Sequence, residues 1–305
     1  MKLLAVLALA SLAACAAPTH ESAPPKHAAL FDFHVGFWTN LHQRLYAETS
    51  RGAPLAAEWE ADPAWQEALA AYRAAIPRRE FMTLLMDERL VATARALSAA
   101  EDAAHLSADV DPALAAVLER AAVPYREHGW ALDEQQDRAW IRELEPRLAQ
   151  HGAALAGELE RVFRGHFSPP MRVDVASFAG PVGAYTVLEP THITISSTDA
   201  ALHGLAALEM IFHEASHSLS GPNEFAAIAE KEPMLWHANL FYVVGEVVRR
   251  KVDPAYVAYA DVNGLWDRAP GWSRYRGALA AAWSPYFDGK CDRDEVTRAL
   301  LDALK

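Results

Sequence analysis

Cysteine is nearly absent from this chain. Only Cys15 and Cys291 occur among its 305 residues, too few for a disulfide framework. Basic charge is also scarce. Twenty-eight Lys+Arg stand against 40 Asp+Glu, a formal net charge of −12, so the basic footprint that nucleic-acid phosphates require is lacking and no nucleic-acid partner is expected. Beyond the first residues no run reaches the ~20 apolar positions of a membrane span. There is no G-x-S-x-G, no P-loop and no G-x-G-x-x-G, which leaves serine-hydrolase, nucleotide and dinucleotide chemistry unsupported. No repeat of 20 to 50 residues suggests a solenoid. What is present is apolar surface: 52% of residues are hydrophobic and 22% charged, the composition of a chain that buries a core. The length suits one or two domains.

At the start, Lys2 precedes an apolar run from Leu3 to Leu12, which reads as a secretory signal peptide. The run ends in Leu12-Ala13-Ala14-Cys15, which resembles the bacterial lipobox. That resemblance implies removal of residues 1–14 and lipid on Cys15, through its sulfur and new amino group. Residues 15–30, with Pro18, Pro24 and Pro25, read as a tether in which His20 and His27 are solvated. Ala16 replaces the Asp that commonly retains lipoproteins at the inner membrane. The expected location is therefore the cell envelope, at the outer membrane and facing the periplasm.

From Phe31 to Gln150 apolar residues recur at helical spacing: Phe37, Leu41 and Leu45; Met86, Leu90, Ala94 and Leu97; Leu114, Val117, Leu118 and Ala121. Pro54, Pro77, Pro112, Pro124 and Pro146 punctuate this run, and a further helix reaches about Phe167. Ser168-Pro169-Pro170 then breaks the pattern. Three short strands follow: Met171 to Ser177, Ala184 to Leu188, and Thr191 to Ser197, with a turn at Gly180-Pro181-Val182-Gly183. Helices resume near Asp199, with Ser197, Thr198 or Asp199 as N-cap. The expected fold is mainly α with one small β-sheet, an α+β arrangement. A helical region spans 31–167 and a metal-binding region spans 168–305, or one domain runs continuously over 31–305.

The helix expected over Asp199–Leu219 carries His213-Glu214-Ala215-Ser216-His217, an H-E-x-x-H sequence. Positions i and i+4 lie on one helix face, so two imidazoles can reach one Zn²⁺ at ~2.0–2.1 Å. Glu214 then stands beside a ligand, where it can take a proton from a water whose pKa the metal lowers towards ~7. Gly221-Pro222 stops the helix. These residues resemble the zincin metallopeptidases over about Met171 to Lys251. The resemblance implies a small sheet above the motif helix, an edge strand that pairs with the substrate backbone, and a peptide or protein substrate. Thr191, Ile193 and Ile195 of the third strand are the expected substrate-pairing residues.

A catalytic zinc takes three protein ligands and keeps one position open. The thermolysin-like branch places a Glu about twenty residues after the second His; here nineteen residues separate His217 from His237. The metzincin pattern fails, because Ser220 and Asn223 occupy its Gly and His positions. Glu246 is the rival third ligand. On a helix begun at Pro233 and running to about Lys251, Glu246 lies about 180° round the wheel from His237, so one helix cannot present both. His237 shares the apolar stripe of Leu240, Phe241, Val244 and Val248. Glu246 lies with Asn239, Arg249 and Arg250, where a solvated ion pair is the simpler reading. Glu224, Glu230 and Glu232 read as surface charge.

Zincins also use a Tyr or His to stabilise the oxyanion. Tyr242, Tyr256, Tyr259 and Tyr275 all follow the motif, and Tyr259 is the nominee. His34 and His42 fall on the first helix and read as packed rings, and Cys291 reads as an incidental thiol. The sequence thus points to a lipid-anchored hydrolase, a metallopeptidase with one Zn²⁺ per chain held by His213, His217 and His237, and with Glu214 as general base. Two alternatives stay open: an envelope lipoprotein that binds metal without turnover, and a zinc hydrolase of a non-peptide amide or ester.

Overall fold

The computed structural model describes residues 30–303, apart from 52–58, 60, 81, 101–103, 181, 189, 220–227 and 229–231. Cys15 and the tether, Ser220 to Asn223, Glu224 and Glu230 lie outside the described residues.

Met171, Val173 and Val175 alternate with Arg172 and Asp174, a period of two that gives a strand two unlike faces. The segment forms strand β2 (Met171–Ala176). Strands β1 (Phe31–His34) and β4 (His192–Ser196) flank it in parallel, and β3 (Ala184–Val187) pairs antiparallel with β4. The order is β1-β2-β4-β3. Val173 stands opposite Phe33 on one side and Ile193 on the other, and Ile193 stands opposite Thr186.

β1 departs from the helical expectation. Phe31 and Phe33 alternate with Asp32 and His34, but four residues are too short to outweigh the helical stripe that follows. His34 is therefore not a packed helical ring: it is half exposed, with Nε2 2.9 Å from Asp32 Oδ2. His42 is buried, as expected.

On one side of the sheet lie α1 (Phe37–Arg51), α2 (Pro63–Ala75), α3 (Thr83–Met86), α4 (Glu88–Ser98) and α5 (Pro112–His128). Their core is built on Leu41, Trp65, Tyr72 and Leu118, and Tyr185 and Val187 of β3 join it. The other core gathers α6 (Trp130–Phe163), α7 (Gly204–Ser216), α8 (Pro233–Lys251), α9 (Tyr259–Val262), α10 (Leu265–Arg268), α11 (Ser273–Phe287) and α12 (Arg293–Asp302) against Val173, Val175, Ile193 and Ile195. The fold is mainly helical with one small mixed sheet. The sheet and this second core both draw on residues from either side of position 167. Among the described residues no helix is long and apolar enough to cross a membrane.

Pro112 starts α5 at a position where its missing N–H costs nothing. Pro124 and Pro146 do not end helices; each lies inside one. Around Pro146, Trp140 and Leu144 on one flank and Leu155 and Leu159 on the other are buried, so tertiary packing carries α6 through the lost backbone bond. The helix of the motif begins at Gly204, five residues later than expected. The nominated caps have other partners: Ser197 Oγ donates to Asp137, Thr198 to the Ser177 carbonyl, and Asp199 accepts from the Ala201 amide.

Candidate metal centre

His213 and Glu214 lie in the last turns of α7, and His217 opens a 3₁₀ turn (His217–Leu219). The third imidazole, His237, comes from the second turn of α8, whose boundaries match those expected from Pro233 and the apolar stripe. α7 and α8 pack together, and the three rings form a nearly equilateral triangle. Their centroids are 5.1, 5.2 and 5.3 Å apart. One nitrogen from each ring lies within 4.8 Å of the other two. His213 Nε2 and His237 Nε2 are 3.2 Å apart, against about 3.3 Å for two ligands of a tetrahedral zinc.

The electrostatics suit a cation. Burial holds His213 well below the usual imidazole range, and the neighbouring rings lower it further. Burial brings His217 to about 3 and His237 to about 4. Burial thus favours the neutral form of all three imidazoles at pH 7, the form that ligates a metal. Phe241 stacks on His213 at 3.7 Å, and Trp272 meets His237 edge-on at 5.5 Å. His213 Nδ1 is buried with no hydrogen-bond partner, so packing rather than an acceptor orients this ring.

Glu214 stands beside the triangle. Its Oε2 is 4.0 Å from His217 Nε2 and accepts the Thr186 hydroxyl at 2.7 Å. Burial pushes its carboxyl up to about 7, partly offset by that hydrogen bond. Thr186 was not foreseen; a four-residue strand gives no sign of which side chain will meet the motif helix.

Glu246 does not join the cluster. Arg249 and Arg250 hold it at 2.6 Å each. Its face is less solvated than expected, since Asn239 is buried and accepts the Trp283 indole at 2.6 Å. Glu232 pairs with Arg274 at 2.9 Å. Among the tyrosines, Tyr256 donates to Glu209 at 2.7 Å, Tyr275 sits against Arg274, and Tyr242 lies by Ser284 and Glu246. Tyr259 is the one whose hydroxyl lies within electrostatic reach of Glu214; burial pushes it up to about 12.

The strand expectation needs correction. β4 is paired on both sides, so Ile193 and Ile195 cannot receive a substrate strand, and Thr191 lies in the turn before it. All five residues of β4 are buried, the signature of an interior strand. The terminal strand beside Glu214 is β3.

Glu209, one turn before His213, also escaped notice. It is buried, and its Oε2 accepts from Tyr256 Oη and the Tyr259 amide at 2.7 and 2.9 Å. The signal was available in the i, i+4 stripes Glu209–His213–His217 and His237–Phe241–Gly245. Cys291 is a free, partly buried thiol that burial pushes up. No family model, curated protein or solved structure matches this chain.

Proposed function

We propose that this chain is a zinc-dependent hydrolase acting on peptide amide bonds, tethered to the envelope through Cys15. The tether rests on Leu12-Ala13-Ala14-Cys15 alone. The observation that carries the chemistry is the triangle of three neutral imidazoles from two helices, with Glu214 beside it and not part of it. Zinc in such a site acts as a Lewis acid and acidifies a water at its open position. Thr186 donates to Glu214 Oε2 and orients the carboxyl, which would accept a proton and return it to the leaving amine. A carboxyl near neutrality can do both. Tyr259, whose hydroxyl feels the Glu214 charge, is the tyrosine we assign to stabilising an oxyanion.

The test is zinc content and turnover of the mature chain. We expect one zinc per chain. His213→Ala and His237→Ala lose it, and Glu246→Ala keeps it. Glu214→Gln keeps zinc and loses at least 10²-fold in cleavage of a quenched peptide library. Zinc retained without His237 overturns the ligand set. Full zinc with equal cleavage in Glu214→Gln overturns the catalytic role. Zinc with no cleavage by the unmutated chain, on peptides or on simple amides and esters, favours the non-catalytic reading.

A further inference from the structure

Neither metal binding nor proton transfer uses Glu209. This buried carboxylate lies one turn before His213 on α7, and its Oε2 serves another part of the chain: it accepts the Tyr256 hydroxyl at 2.7 Å and the Tyr259 amide at 2.9 Å. The Tyr259 amide opens α9, where a first-turn N–H has no partner within the helix. Ala258, the residue before it, has no side chain able to cap it. A carboxylate fifty residues earlier in the chain does so instead.

α8 closes on the same segment. A Cβ on Gly245 would lie 2.6 Å from Ala258 Cβ and 3.0 Å from Glu209 Oε1, so only glycine lets the helix come this near. One turn back along α8, Phe241 stacks on His213 at 3.7 Å and lies within 16° of parallel to Tyr259 at 6.1 Å. Phe241 thus links the His213 imidazole to the phenol. Tyr259 is held at its backbone by the helix that carries His213 and at its ring by the helix that carries His237. Among the described residues its hydroxyl has no hydrogen-bond partner, and it feels the Glu214 charge.

We propose, on the hydrolase reading above, that Glu209 is a positioning residue: by anchoring Tyr259 to the motif helix it sets where the phenolic hydroxyl meets the developing oxyanion. Glu209 acts through Tyr259 and touches no substrate. The role needs an acceptor and not a charge, and burial already pushes this carboxyl up to about 7. Glutamine keeps the acceptor and leucine removes it.

The experiment is a double-mutant cycle on the zinc-loaded mature chain. It is read as kcat and KM on a peptide drawn from the quenched library, and as affinity for acetohydroxamate, a small anion that binds zinc through its oxygens. Tyr259→Phe should lower kcat about 100-fold, the scale of one lost oxyanion donor, and weaken acetohydroxamate about tenfold. Glu209→Leu should approach these losses, in kcat and not in KM, yet add less than about threefold in the Tyr259→Phe background, with zinc content unchanged. Glu209→Gln should recover most of the loss. Tyr256→Phe removes one of the two anchors at a half-buried position and should weaken both readouts about three- to tenfold, which keeps the test decisive should the leucine variant misfold. Losses that multiply in the double variant, a glutamine variant as impaired as the leucine one, or unchanged readouts in Tyr256→Phe overturn the proposal. Acetohydroxamate affinities that follow the cycle in a chain without turnover support the positioning role and overturn the hydrolase reading alone.

Discussion

The two sides of the sheet bury their polar groups in opposite ways. On the side of α1 to α5, buried carboxylates are met by side-chain donors, some charged and some neutral. Asp174 accepts from Arg172, His192 and Ser98. Asp133 accepts from Arg44 and Tyr125, and Asp137 from Asn40 and Ser197. On the side of α7 and α8, three imidazoles face one another, and the Glu214 carboxylate 4.0 Å from one of them accepts a hydroxyl. A network closed by its own partners tightens the fold. The imidazole cluster instead gathers three nitrogens that could hold a metal ion. This is why the histidine cluster, and not the larger polar network, reads as the functional site.

The contrast breaks most visibly at Arg44. Its side chain is 12% exposed and makes two bonds to Asp133. Arg44→Ala leaves a buried carboxylate uncompensated, and we expect a loss of about 3–5 kcal/mol in urea unfolding of chelated protein. Where the variant is folded, its zinc content should match that of the unmutated chain. Lost zinc binding in folded Arg44→Ala would mean that the two sides are coupled.

A second effect depends on pH. Burial pushes Asp137 up from 3.8 to about 7. Between these values the folded state binds more protons than the unfolded one, so this group's contribution is full below about pH 4 and is lost as pH rises through 7. Glu48, also raised to about 7, acts in the same direction. His42, lowered to about 4, opposes them: its contribution is present above 6.5 and lost as pH falls through 4. Asp137→Asn isolates one member. Its stability relative to the unmutated chain should rise by about 3–4 kcal/mol from pH 4 to pH 7, in chelated protein. A difference independent of pH would mean that Asp137 is ionised in the fold and that its hydrogen bonds outweigh its desolvation.

The sequence carried the α8 helix to its residue boundaries, because Pro233 and a long apolar stripe agree. It also separated His237, which joins His213 and His217 in one cluster, from Glu246, because the two fall on opposite faces of the helix. It did not carry β1, whose four residues are outvoted by the helix after them. Nor did it carry the strand order. Hydrophobic alternation says which side chains share a face; it does not say which strand ends the sheet. That order makes β4 interior and brings Thr186 to Glu214, and it depends on contacts between segments far apart in the chain.

Thr186 tests the boundary between the two sides most finely. Its neighbours Tyr185 and Val187 pack into the core of α1 to α5, while its own hydroxyl reaches Glu214. The strand that ends the sheet therefore ties the closed network to the open cluster. Thr186→Val keeps the shape of the side chain and removes the donor. A hydrogen bond to a charged group contributes about 1.5–3 kcal/mol, so turnover should fall by about 10- to 150-fold, with zinc content unchanged. Thr186→Ser restores the donor and should recover most of the loss. A valine variant as active as the serine variant would show that Glu214 is oriented by packing alone, and the hydroxyl would then have no part in setting the base.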